Sequence, residues 1–147
     1  FEGDLIRFQS NDVGTVHVTF GDVVDVESDE QFGILSGDDL VARLAIELPS
    51  VKRLVFAIKG VDGILRVPPE HANEGDLIEN WSPEIEFEGT HQSNIDVTGG
   101  IGLKAARGSM VASNGIEVIM VNGGKSERVF NAMLGNPVRG TRVSAKR

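Results

Sequence analysis

The sequence predicts an α/β fold with a mostly parallel sheet, and three observations carry that prediction. Helical stripes alternate with short continuous apolar runs, the pattern of strands covered on both faces. Turn residues punctuate them: Asn114-Gly115 and Gly135 stand where helices should stop. The 147 residues, 40% apolar and 24% charged, suffice for one sizeable core, and no domain boundary is visible.

The elements follow in order. FEGDLIRFQSNDVG opens without Met, and Phe1, Leu5, Ile6 and Phe8 read as the apolar stripe of a helix already under way, so a preceding segment is expected. VHVTFGDVV (16–24) and QFGIL (31–35) are strand-like and flank the acidic turn DVESDE. ILSGDDLVARLAIEL (34–48) is a helix. Ser36 and Asp39 have capping-box spacing, with Asp replacing the usual Glu or Gln. Leu40, Val41, Leu44, Ala45 and Leu48 share one face. VKRLVFAI (51–58) carries the run of a strand covered on both sides.

A different texture fills 60–94, with Pro68, Pro69, Pro83, many charges and short alternations such as Ile85-Glu86-Phe87. It reads as loops and small hairpins over one sheet edge, with Trp81 as packing. GGIGLKAARGSMVASNG (99–115) is the next helix, IEVIMVN (116–122) a buried strand, GGKSERVFNAMLG (123–135) a helix and GTRVSA (140–145) a last strand.

Composition narrows the function. Without cysteine there is no disulfide framework or thiolate metal site, which suits a reducing, cytoplasmic setting. No apolar run reaches the length of a membrane span. The net charge of −8 argues against broad nucleic-acid or anionic-membrane binding. His17, His71 and His91 lack metal-ligand spacing. An anionic ligand would need a local trap of backbone N–H groups and one or two lysines.

Three stretches can supply such a trap. In SNIDVTGGIGLKAA (93–106), Asp96, Thr98, Gly99, Gly100 and Lys104 crowd one helix start. Each glycine weakens that first turn by about 1 kcal/mol, yet lets N–H groups approach an anion at the positive end of the helix dipole. Lys104, one turn in, can bend back to the same anion; a glycine-rich turn with a solvent-facing lysine fits the pattern too. SGDD places Ser36, Gly37, Asp38 and Asp39 at the other helix start. Capping and the dipole explain those residues, but a carboxylate there could also hold lysines around a transferring phosphoryl group. In IKGVDGIL (58–65), Lys59, Gly60, Asp62 and Gly63 suit either a loop presenting backbone to a flat ligand or an ordinary strand-end turn. Neither G-x-x-x-x-G-K-[ST] nor G-x-G-x-x-G occurs.

In order, FGDVV, ILSGDDL, VFAIKGVDGIL, DVTGGIGLK, VIMVNGG and a final GT resemble the C-terminal half of the amino acid kinase family, over essentially the whole chain from about Gly14. The motifs and their order are similar to those of its isopentenyl phosphate kinase branch. The resemblance implies a three-layer sandwich with a mostly parallel central sheet, of which this chain is the C-terminal, nucleotide-binding lobe. It implies phosphorylation of a small phosphomonoester by ATP, first of all isopentenyl phosphate to isopentenyl diphosphate, with Mg2+ carried by the nucleotide; a uridylate kinase, a fosfomycin-type kinase or a non-catalytic nucleotide-binding module are the alternatives. By position, Gly37 matches the glycine at the acceptor phosphate and Asp38 the aspartate that organises the catalytic lysines. Gly100 and Lys104 match contacts to the ATP phosphates, with Gly99 beside them, and the lysine that Lys104 matches stabilises charge in the transition state. The nucleotide is expected against Lys59, Gly60, Asp62 and Gly63, with adenine near 67–71. The resemblance also implies a homodimer and an N-terminal lobe, in the same or a companion chain, that brings the glycine-rich phosphate loop and acceptor-binding histidine. Where the family reads T-D-V-D-G, this chain has Ile58-Lys59-Gly60-Val61-Asp62-Gly63, without the first aspartate and with a lysine as in uridylate kinases.

Overall fold

A computed structural model describes residues 5, 8–9, 14–26, 32–86 and 100–146. Strands β1 (Asp22–Asp25) and β2 (Phe32–Leu35) form an antiparallel ribbon with Val23 opposite Ile34. Helix α1 (Gly37–Glu47) leads into β3 (Arg53–Ile58); β4 (Asn80–Trp81) follows after a long irregular segment. Helix α2 (Gly100–Ala112), β5 (Glu117–Asn122), α3 (Ser126–Leu134) and β6 (Thr141–Val143) complete the chain. The main sheet has the order β3-β5-β6-β4. β3 runs parallel to β5 and β4 to β6, whereas β5 and β6 are antiparallel. The sheet is therefore mixed but mostly parallel.

Alternation along β5 sorts the layers. Val118 and Met120 join Phe56, Ile58 and Val143 beneath Ala42 and Ala45 of α1 and Ala105 and Val111 of α2. Ile119 and Val121 face the other way, against Ala132 and Val129 of α3. Two helices, a sheet and a third helix make the three layers that the family resemblance implies.

The start of α1 shows why local sequence suffices there. Ser36 is extended (φ −72°, ψ 151°), and its Oγ accepts the Asp39 N–H at 3.1 Å. The Ser36 hydroxyl donates in turn to Asp39 Oδ2 at 2.8 Å, so the carboxylate completes the cap through the side chain rather than the Ser36 backbone. The buried line is Leu40, Ala42 and Ala45, with Val41, Leu44 and Leu48 only half-buried. Ala42 enters the core because α1 packs against α2 as well as β3. Gly135, with φ +77°, stops α3 as expected.

Other expectations need correction. Of 16–24 only the end is strand, and residues 14–20 are exposed and irregular. Gln31 and most of the acidic turn lie outside the described residues. β3 is an edge strand in the main sheet, and Ala57 is exposed, so its cover is complete only on the α1–α2 side. In the middle segment Leu65 bridges Leu77 in antiparallel fashion, beside short 3-10 turns at Pro69–His71 and Glu74–Asp76. Trp81 is buried, its Nε1–H donating to the Ile85 carbonyl at 2.9 Å. Thr141, also buried, stitches this segment to the sheet. Its Oγ1 accepts the Ile64 N–H at 2.8 Å and donates to the Ile78 carbonyl at 2.7 Å.

Candidate phosphate-transfer site

Topology brings both helix starts to one end of the sheet. α1 turns back into β3 and α2 into β5 through short connections. Because β3 and β5 are parallel, both helix N-termini lie at the carboxyl ends of these strands, where open α/β sheets take ligands. There Lys104 Nζ meets Asp38 Oδ2 at 2.9 Å, with side chains 27% and 13% exposed. Arg107, three residues on and hence on the same face of α2, pairs with Asp39 through Nε at 2.5 Å. Adjacent acids on α1 thus meet bases one turn apart on α2.

The carboxyl of Asp39 is held below the usual aspartate range, first by the Ser36 hydroxyl; partial burial opposes this and Arg107 reinforces it. Gly100 opens α2 at φ +54°, a conformation that glycine adopts without strain. Gly37 is the first residue of α1, next to Asp38. Gly21 lets the ribbon close on this point, since a Cβ there would stand 2.6 Å from the Leu35 carbonyl oxygen and 3.1 Å from the Gly37 nitrogen. The result is an open cleft of about 610 Å3. Gly37, Asp38 and Lys104 form its polar end, and Val23, Ile34 and Leu35 of the ribbon an apolar wall.

The structure therefore gathers Gly37, Asp38 and Lys104, with Gly100 one turn before the lysine. Asp96, Thr98 and Gly99 lie outside the described residues. At the end of β3 the predicted loop divides. Lys59 and Gly60 are exposed, and Gly60 has φ +80°. Asp62 and Gly63 are engaged with the protein itself. Asp62 Oδ1 accepts from Asn122 Nδ2 at 3.3 Å and from Arg128; Oδ2 accepts from Arg139 Nε at 2.8 Å. Burial pushes this carboxyl up, but bonds from Arg139 and Asn122 and the charge of Arg128 outweigh it, so the net shift is downward. Gly63 packs so tightly on β6 that a Cβ would lie 2.9 Å from the Thr141 nitrogen.

Sequence reasoning missed Arg107, Asn122, Arg128 and Arg139. The spacing of Arg107 from Lys104 could have marked it; the others reach Asp62 across 60 to 77 positions and leave no local trace. Among the described residues no group of three or more His, Cys, Asp or Glu could hold a metal. The donor set at the polar end of the cleft fits an anion. Nor is any helix of the described residues long and apolar enough to cross a membrane.

Fold and site together define an open α/β protein with a charged cleft at the carboxyl ends of its parallel strands. The sequence profile of the amino acid kinase family matches residues 2–122, and the chain belongs to that family. It is 33% identical over 138 residues to the isopentenyl phosphate kinase of Methanothermobacter thermautotrophicus, an alignment covering 90% of this chain and 50% of the relative. With the isopentenyl phosphate kinase of Thermoplasma acidophilum it shares 36% identity over 126 residues, 85% of this chain and 48% of the relative. A crystal structure of an isopentenyl phosphate kinase substrate complex superposes with a TM-score of 0.63 at 28% identity, covering 88% of this chain and 48% of that one. The chain thus spans about half the length of these relatives.

Proposed function

We propose that the chain forms the nucleotide-side half of a kinase that transfers a phosphoryl group from ATP to isopentenyl phosphate. The carrying observation is the Lys104–Asp38 pair beside Gly37 at the polar end of the cleft. An oxygen of the acceptor phosphate attacks the γ-phosphorus, the bond to the β,γ-bridging oxygen breaks, and ADP leaves. Such transfers depend on positioning and charge more than on covalent chemistry. Lys104 lies where it can neutralise charge on the moving group, and Asp38 fixes the ammonium. The N–H of Gly37, in the first turn of α1 where N–H groups have no intrahelical partner, binds the acceptor phosphate in this reading. Lys59 and Gly60 serve the nucleotide side, with adenine towards 67–71, and Mg2+ arrives on the ATP phosphates.

The apolar wall of Val23, Ile34 and Leu35 favours an acceptor with a hydrocarbon tail over a nucleotide acceptor, and the named relatives point the same way. Lys59 is the one residue that favours a uridylate kinase. Because the relatives are twice as long, a complementary lobe, in the same polypeptide or a companion chain, completes the clamp. The working enzyme is a cytoplasmic homodimer. The test is product formation from radiolabelled ATP by residues 1–147 alone and with the complementary lobe. Isopentenyl diphosphate from the combined protein, and none from the chain alone, is expected. Transfer to uridylate but not to isopentenyl phosphate would replace the acceptor, and nucleotide binding without any transfer would make the protein a binding module.

A further inference from the structure

Asp62 sits in the loop that the proposed function gives to the nucleotide, yet both its carboxylate oxygens are occupied by donors from three other places. Asn122 comes from the end of β5, Arg128 from α3 and Arg139 from the approach to β6. The donors are themselves tied down. Asn122 Oδ1 accepts the Gly124 N–H at 3.0 Å, and Arg139 Nη2 donates to the Glu74 carbonyl at 2.7 Å. Arg139 thus holds the loop after β3 and the turn Glu74–Asp76 with a single guanidinium.

Resting on the kinase reading, we propose that Asp62 is a positioning residue rather than a nucleotide ligand. With Arg128 and Arg139 it clamps the loop so that Lys59 and Gly60 meet the nucleotide in a fixed geometry. A carboxylate already accepting from two guanidiniums and an amide has little capacity left for a ribose or base, and its negative charge would repel phosphates. A loop held from three sides, by contrast, presents its backbone without paying the entropy of ordering at the moment of binding.

ADP affinity by calorimetry, and amide hydrogen exchange of residues 60–63 without nucleotide, test the clamp in wild type, Asp62→Asn, Arg139→Gln and the double variant. Each single change should weaken ADP about tenfold, the size of one charged hydrogen bond lost, and speed exchange in the loop but not in β5. The double variant should be no worse than the poorer single, because the two residues act as one unit. Arg139→Lys, which keeps the charge but cannot hold Asp62 and the Glu74 carbonyl together in a fork, should lie between Gln and wild type. An Arg139→Gln protein that binds ADP within twofold of wild type while Asp62→Asn does not would overturn the proposal, returning Asp62 to a ligand role. So would a fall in thermal stability with unchanged affinity and loop exchange. If the wild-type chain joined to its complementary lobe binds no ADP, the kinase reading falls, and loop exchange still decides whether Arg139 holds the loop.

Discussion

Asp38 meets one partner among the described residues, Lys104, at the polar end of an open cleft; Asp62 meets three, from three elements, against the body of the sheet. Each follows a strand within a few positions, Asp38 in the first turn of α1 and Asp62 in the loop after β3, and both were read from sequence as site residues. The number and rigidity of their partners separate them. An ammonium has three N–H donors, so Lys104 can keep its bond to Asp38 and still offer donors to an anion. Asp62, by contrast, is locked into the protein on both oxygens. A short sequence motif therefore marks where a loop is made, while its partners decide whether a given side chain serves the ligand or the fold.

Four measurements would break or sharpen this contrast. On the proposed function, the largest effect belongs to Lys104→Ala in the chain joined to its complementary lobe. Turnover should fall by about 10²–10³, as on removing one fixed transition-state donor, with a much smaller change in KM. Asp38→Asn should act on kcat as well, and combining the two should add little. A Lys104→Ala kcat within about threefold of wild type, under 1 kcal/mol, would demote the cleft to a surface feature.

On the structural side, Gly63→Ala forces a methyl against Thr141 and should cost roughly 2–3 kcal/mol, read as a lower urea midpoint at unchanged slope. Ser36→Ala removes the cap of α1 and should cost about 1 kcal/mol by the same measurement, leaving nucleotide binding in place. The smallest effect is confined to acid. Asp39 and Asp62 both have carboxyls held below the ordinary 3.8, so the folded state keeps them charged more readily than the unfolded chain does. Their contribution is complete above that value and is lost as pH falls through the depressed values. Asp62→Asn should flatten the dependence of stability on pH in that range; an unchanged acid limb would show that its donors stabilise nothing net.

Much of this was legible in the sequence wherever the cause is local. The Ser36–Asp39 cap, the Gly135 stop and the apolar run of β5 each follow from residues within a few positions of one another. The pairing of Asp38 with Lys104 was legible only through resemblance, because no periodicity links positions 66 apart. The burial of Ala42 was missed because it depends on α2 crossing beside α1. The antiparallel placement of β6 and the arginines around Asp62 were missed because long-range sheet order sets them. Even the exposure of Ala57 belongs to this class: an apolar strand reads as interior wherever the sheet places it.

The distance between Asp38 and Lys104 along the chain has a kinetic side. The cleft exists only once β3 has found β5, with Arg53 beside Glu117 across 64 positions. Closing so long a loop yields no reward until the strands meet, so the slow, non-local step of folding is also the step that creates the site. A ligand that binds there recognises only molecules that have completed that step, and by mass action it draws the rest of the population after them. If that ligand is the nucleotide of the proposed function, its concentration would help set how much of the chain stays folded.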